Sequence, residues 1–336
     1  MDGALSPVTA ARDALEEVER RYATAITPLM ESLIGPNDPD DPIALQFRPD
    51  ARELITTPAE RADPIGDHPF TPVEGVVRRY RDRCLLKVVS ICPVYCRFCF
   101  RREMVGPGKT APLSAEALDA AFAYIAAHPE IWEVILTGGD PFLLSPRRAR
   151  AITERLAAIP HVKIIRWHTR VPIVDPDRVT AAFVDALHTD ELTAYVAIHA
   201  NHPREITPQA RQALARLAKA GIPLLSQTVL LKGVNDDVET LEQLMRALVE
   251  ARVKPYYLHH PDLAPGTSHF RVSLERGRQI VRELHARASG LCQPTYVLDI
   301  PGGHGKAPLG PCAIRAGVEG YELRGTDGAW RKYTPD

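Results

Sequence analysis

The sequence predicts an α/β protein in which a parallel sheet is covered by helices. Three observations carry this. Apolar, β-rich runs recur from about residue 83, amphipathic helical runs separate them, and turn signals mark several of the junctions. A chain of 336 residues can bury a large core in one domain and still carry an accessory segment.

Taken in order, residues 7–34 show helical spacing of apolar positions at Ala14, Val18, Tyr22, Ile26 and Leu29, so a helical segment is expected there. Between Pro36 and Pro72 fall eight of the thirty prolines, which predicts a mostly irregular stretch over 35–75, wrapped on the surface or against a partner subunit. The strand runs are Leu85–Ile91, Val134–Leu136, Val162–Trp167, Ala194–Ile198, Leu224–Leu231 and Lys254–Leu258. Helical runs alternate with them at 114–127, 146–159, 176–188, 207–220, 236–251 and 273–288. Ser114 stands where a helix N-cap belongs, Thr207-Pro208 puts proline in a first turn, and Gly221 follows a helix end. Six β/α units in series fit either an open sheet or a barrel. In both, the active site lies at the C-terminal ends of the strands.

Composition narrows the function classes. The net charge of -1 offers no basic surplus for gripping nucleic acid or an anionic membrane. No run of about 18 apolar residues predicts a membrane span, and the acidic, broken start MDGALSPVTAARDALEE lacks a secretory pattern, so a cytoplasmic protein is expected. Of six cysteines, three crowd together as Cys92, Cys96 and Cys99, which points to metal or redox chemistry rather than disulfides.

Cys92-Pro-Val-Tyr-Cys96-Arg-Phe-Cys99 follows the first strand. Thiolates are soft ligands for iron–sulfur clusters and zinc, and structural zinc normally takes four closed ligands. Three cysteines can instead hold three irons of a [4Fe–4S] cluster and leave the fourth open. Thr137-Gly138-Gly139-Asp140-Pro141 follows the next strand; alone it would be an ordinary strand-to-helix turn. Pro301-Gly302-Gly303-His304-Gly305-Lys306 sets a lysine on a glycine-rich loop, where it can be exposed and mobile and can react with an aldehyde cofactor.

With these motifs the chain resembles the radical S-adenosylmethionine superfamily, and within it the lysine 2,3-aminomutases. Further stretches carry the likeness over roughly 75–312: Tyr80-Arg-Asp-Arg83, Cys99-Phe-Arg101-Arg102, His168-Thr-Arg170, His199-Ala-Asn-His202-Pro203, Gln227 to Asn235, Pro255-Tyr-Tyr-Leu258 and His269-Phe-Arg271. The resemblance implies a partial (β/α)6 TIM-like barrel at 76–312. It adds a helical and proline-rich accessory segment at 1–75 and a C-terminal tail at 313–336.

It also implies three cofactors. Cys92, Cys96 and Cys99 would hold a [4Fe–4S] cluster. Gly138, Gly139 and Asp140 would receive S-adenosylmethionine, which His199 and Gln227 would also face. Lys306 would carry pyridoxal 5'-phosphate, with Arg83 on its phosphate and Tyr80 at its ring. Arg101 would clamp the substrate carboxylate, and Asp262 and Asp299 would take the ε-ammonium of lysine. His304 departs from the glycine frequent at its position in the family.

The implied reaction is migration of the α-amino group of lysine to the β carbon. A one-electron donor such as flavodoxin or ferredoxin is implied as a partner, with a homo-oligomer left open. A 2,3-aminomutase for arginine, glutamate or proline is one alternative, and a non-catalytic iron–sulfur or zinc protein is another. The chain's length resembles the branch whose β-lysine is attached to elongation factor P, whereas its lysine loop resembles the longer enzymes. With only Cys312 near the end, no C-terminal zinc site is expected.

Overall fold

The computed structural model describes residues 7–109, 113–318 and 320–335. Its centre is one sheet of nine strands paired strictly in sequence order. It opens with β1 (Val76–Val77), which is antiparallel to β2 (Arg83–Val89). Then β3 (Glu133–Gly138), β4 (Ile164–Thr169), β5 (Thr193–His199), β6 (Leu224–Val229), β7 (Val253–His259) and β8 (Thr295–Asp299) each join the preceding strand in parallel. The last strand, β9 (Lys306–Pro308), returns antiparallel to β8. Among the described residues no pair joins the two edges, so the barrel is incomplete.

The helices begin with α1 (Pro7–Arg21), α2 (Pro28–Ser32) and α3 (Ala44–Phe47). The crossovers follow: α4 (Ala115–Ala126), α5 (Pro146–Ala157), the short α6 (Val171–Val174), α7 (Ala181–Ala186), α8 (Pro208–Lys219), α9 (Val238–Glu250) and α10 (Leu274–Arg287). Side-chain caps start most of the crossover helices. Ser114 accepts from the Ala117 N–H and Thr207 from the Ala210 N–H, and Gly221 follows α8 at φ +79°. Their apolar stripes, such as Leu241, Leu244 and Leu248 of α9, pack onto the outer face of the sheet in one core.

Three expectations from the sequence change. The helix expected over 7–34 is broken: α1 ends at Arg21, and after an irregular stretch Thr27 caps a second helix that begins at Pro28. The helix expected over 176–188 contracts to α7, preceded by a 3-10 turn at Pro176–Arg178. Beyond β9, residues read as a tail form a small antiparallel sheet of β10 (Ile314–Ala316), β11 (Tyr321–Arg324) and β12 (Trp330–Tyr333).

Strand alternation builds the site. In β2, Cys84, Leu86 and Val88 are buried, while Arg83 and Leu85 face a cavity that Cys84 also borders. The same period brings Glu133, Ile135 and Thr137 of β3, Arg166 and His168 of β4, and Gln227 and Val229 of β6 to that cavity. In β7 the pairing skips Tyr256, a bulge that lets Tyr256 and Tyr257 both border the cavity.

Candidate active site

The cavity is about 550 Å³, within the range of small-molecule sites. It takes side chains from β2 at one end of the sheet through β8 at the other, which requires the sheet to curl around it. Every residue singled out by sequence borders it: Tyr80, Arg83, Cys92, Cys96, Cys99, Arg101, Gly138, Gly139, Asp140, His199, Gln227, Asp262, Asp299 and Lys306.

The cysteine loop leaves β2 and is held from behind by the N-terminal segment. Arg97 and Arg102, which flank Cys99, both donate to the buried carboxylate of Glu53. Arg97 N–H donates to the carbonyl of Gln46 at 2.9 Å, and Tyr95 N–H to that of Ala25 at 3.1 Å. On the cavity side, Arg170 Nη1 donates to Cys96 Sγ at 2.9 Å while its Nη2 pairs with Glu205 at 2.7 Å. Burial, followed by Asp140 for Cys92 and by Cys96 for Cys99, raises these two thiols, Cys99 to about 11. They are therefore protonated as they stand, and an iron that displaces the protons would restore the soft thiolate donors. Among the described residues no three His, Cys, Asp or Glu side chains converge as they would around a single ion. Three half-buried thiols within eight residues of one loop, all bordering the cavity, fit a cluster with one cysteine on each of three irons.

The glycine motif has a local task. A Cβ at Gly138 would lie 2.3 Å from the Val89 carbonyl oxygen, and one at Gly139 would lie 2.2 Å from that of Ile91. Gly138 also has φ +108°. The two glycines thus admit the backbone entering the cysteine loop, and Gly139 N–H donates to the Val89 carbonyl at 2.7 Å. Asp140 accepts from Phe142 N–H, Thr169 Oγ1, Arg170 N–H and Val171 N–H, so its carboxylate is fully engaged inside the protein. Deeper in the cavity, His199 is pushed down to about 3 by burial and then by Arg170, so it is a neutral imidazole. Gln227 Nε2 lies 3.3 Å from His168 Nε2.

At the other end of the sheet, Lys306 is not on a free loop. It begins β9 directly opposite Asp299 of β8, and residues 300–305 form the turn between them. Lys306 Nζ pairs with Asp299 Oδ2. The turn is packed down: a Cβ at Gly303 would meet the Phe70 ring at 2.3 Å, and one at Gly66 would meet the Gly302 carbonyl carbon at 2.5 Å. Asp299 also faces His259 at 3.7 Å and Arg79 at 3.7 Å. Burial would raise its carboxyl, but His259 and Lys306 together hold it well below the usual range.

Asp262 differs. No ion pair or hydrogen bond engages its carboxylate among the described residues, and burial, followed by Asp299, pushes it up to about 7. Above the Lys306 end, Arg83 stacks on the Tyr80 ring at 3.7 Å. Tyr80 Oη, His259 Nε2 and Asp299 Oδ1 are buried without a hydrogen-bond partner beside the cavity. Unsatisfied polar atoms around a lysine and an arginine fit a polar, anionic cofactor.

The sequence reading missed Asp67 and Arg79. Arg101 donates to Asp67 Oδ2 from Nη2 at 3.1 Å and from Nε at 3.3 Å, and Arg79 Nε lies 3.8 Å from Asp67 Oδ1. Asp67 sits in the proline-rich stretch where no regular pattern marks it.

Comparison with known proteins gives consistent findings. The family model of the radical SAM superfamily matches residues 86–247. The L-lysine 2,3-aminomutase of Clostridium subterminale is 42% identical over 287 residues, covering 85% of this chain and 68% of that protein. That of Escherichia coli is 39% identical over 272 residues, covering 81% and 79%. The glutamate 2,3-aminomutase of Clostridioides difficile is 36% identical over 321 residues, covering 94% and 75%. Among solved structures, a radical SAM methyltransferase from Sphaerobacter thermophilus aligns over 68% of this chain and 71% of that one, at 22% identity and TM-score 0.47.

Proposed function

The chain belongs to the lysine 2,3-aminomutase family of radical SAM isomerases, and from that premise we propose that its own substrate is L-lysine, converted to β-lysine. The observation that carries the choice is the pair of carboxylates at the cavity, Asp262 and Asp299. Among the described residues no cation forms an ion pair with Asp262, and burial and Asp299 raise its carboxyl. A lysine ε-ammonium would supply one, whereas the side chain of glutamate would add a third negative charge.

In this reading Cys92, Cys96 and Cys99 hold a [4Fe–4S] cluster, Gly138, Gly139, Asp140, His199 and Gln227 border S-adenosylmethionine, and Lys306, Arg83 and Tyr80 hold pyridoxal 5'-phosphate. When bound, these groups supply one-electron chemistry and a carrier for the migrating amino group. The protein supplies position and dryness. Arg101, whose Nε and Nη2 donate to Asp67, offers its remaining guanidinium edge to the substrate carboxylate. Neutral His199 and His168 add no net charge to the cavity floor. Asp299 has two roles in turn: it holds the ammonium of Lys306 while that amine is free, and it is available to a substrate cation once that amine is engaged. Asp262 completes the cation site.

The test is product analysis of the anaerobically reconstituted protein with lysine, arginine and glutamate. β-Lysine as the main product is expected. Faster turnover of glutamate than of lysine would overturn the substrate assignment, and no amino migration with any of the three would overturn the reading as a whole.

A further inference from the structure

The N-terminal segment contributes a buried carboxylate to the machinery of the cavity without lining it. Asp67 is fully buried and lies behind the cavity wall. Its two oxygens face two different arginines. Oδ2 accepts from Arg101 at 3.1 and 3.3 Å, and Oδ1 lies 3.8 Å from Arg79 Nε. Arg79 in turn reaches Asp299 Oδ1 at 3.7 Å, and Asp299 Oδ2 pairs with Lys306. Arg101, Asp67, Arg79, Asp299 and Lys306 therefore form one chain of alternating charge along the wall. Its two ends are the groups assigned above to the substrate carboxylate and to the aldehyde cofactor.

Asp67 is itself fixed. Its N–H donates to Asp63 Oδ1 at 2.8 Å, and its carbonyl accepts from Thr71 Oγ1 at 2.9 Å. The turn before it packs on the Lys306 hairpin through Gly66. Burial would raise the Asp67 carboxyl, but Arg101, Arg79 and Lys87 outweigh burial and hold it below the ordinary value. It is thus an anion at neutral pH, and the arginine side chains have a fixed partner to aim against. A guanidinium held along one edge keeps its other edge directed, which lowers the entropy lost on binding a second carboxylate.

We propose that Asp67 is a positioning residue for substrate binding: it orients Arg101 toward the α-carboxylate of the amino acid and ties that clamp, through Arg79 and Asp299, to the Lys306 end. This rests on the reading of Arg101 as the carboxylate clamp. It does not depend on which amino acid is used, because each candidate substrate has the same α-carboxylate.

The test uses the full chain, anaerobically reconstituted, with whichever of lysine, arginine or glutamate the native protein turns over fastest. Lysine in that role upholds the substrate assignment and another amino acid overturns it; the Asp67 arm proceeds in either case. Asp67→Asn is expected to raise KM about 30-fold or more, the scale for losing one partner of a desolvated charge pair. Its kcat should stay within about threefold of native, and its visible absorption from cluster and cofactor should be unchanged. Asp67→Glu keeps the charge but moves it by a methylene, and should raise KM by a smaller factor. If Asp67→Asn fails to fold, Asp67→Glu alone decides, with a raised KM at native kcat expected. Native KM in the folded variants, with only the melting temperature lowered, would show a structural role and overturn the proposal.

Discussion

The two ends of the sheet manage charge in opposite ways. Beside β2, the charged groups that hold the cysteine loop from behind are paired with one another: Glu53 takes both Arg97 and Arg102. Beside β8, the charges border the cavity and are unevenly shared. Asp299 has Lys306, His259 and Arg79 around it, while Asp262 has no ion-pair partner among the described residues. On the proposed reading the first end holds an inorganic cluster, which needs one fixed geometry that buried pairs enforce. A site that must accept, hold and release a charged amino acid needs charges whose partners can change.

Perturbing the first end should cause the largest loss. Cys96→Ala should abolish S-adenosylmethionine cleavage, against about four irons per chain expected in the native protein. Iron and sulfide analysis checks this, and full iron content in the variant would sink the ligand assignment. Replacing Cys84, buried in β2, or Cys292 or Cys312, which lie outside the cavity, should leave the cluster intact.

Next in size is the charge exchange at the second end. Asp262→Asn and Asp299→Asn should each cut lysine turnover by roughly 30- to several-thousand-fold. They should differ elsewhere. Asp262→Asn should keep the pyridoxal adduct at Lys306, trapped with borohydride and located by peptide mapping. Asp299→Asn removes the group that pairs with the Lys306 ammonium, so that adduct should form at a different rate than in the native protein. Identical adduct behaviour in the two variants would erase the distinction drawn between these carboxylates.

A smaller effect tests rigidity. Glu53→Gln leaves Arg97 and Arg102 without their shared anion and should destabilise the fold by about 3–5 kcal/mol, read as a lowered melting temperature. The account of the first end fails if this variant melts like native.

The gentlest probe is pH. Asp262 is raised to about 7, against about 3.9 for a free aspartate. The folded, substrate-free protein holds this proton more tightly than the unfolded chain does. Its contribution to stability is therefore complete below about 4 and is lost as pH rises through about 7. Lysine needs the ionised form, so KM for lysine should fall as pH rises through that same region. The trend should flatten in Asp262→Asn.

Much of this was legible in the sequence because the informative residues sit where local pattern and chemistry coincide. The alternation of apolar and amphipathic runs marked the sheet, the cysteine spacing marked the loop after β2, and the resemblance supplied Arg83, His199 and Gln227. The resemblance supplied Asp262 and Lys306 as site residues, but no local pattern could reveal that Lys306 and Asp299 are cross-strand neighbours. That pairing follows from the hairpin that Gly302, Gly303 and Gly305 make, each at positive φ. The role of Asp67 was illegible for a different reason. It lies in a proline-rich stretch with no periodicity, and its partners come from sequence positions 12 and 34 residues further on. Apolar spacing over 7–34 gave one helix where there are two, because the spacing runs on through the irregular residues 22–27 and past the Thr27-Pro28 start of the second.

The central claim is that this cavity selects an amino acid with a terminal cation. The most direct measurement is competition: the anaerobically reconstituted protein is given equal concentrations of L-lysine and L-glutamate with S-adenosylmethionine and reductant, and both β-amino acids are quantified by mass spectrometry. The account predicts β-lysine in large excess, with the excess lost when Asp262 and Asp299 are both changed to Asn. β-Glutamate in excess from the native protein would contradict it.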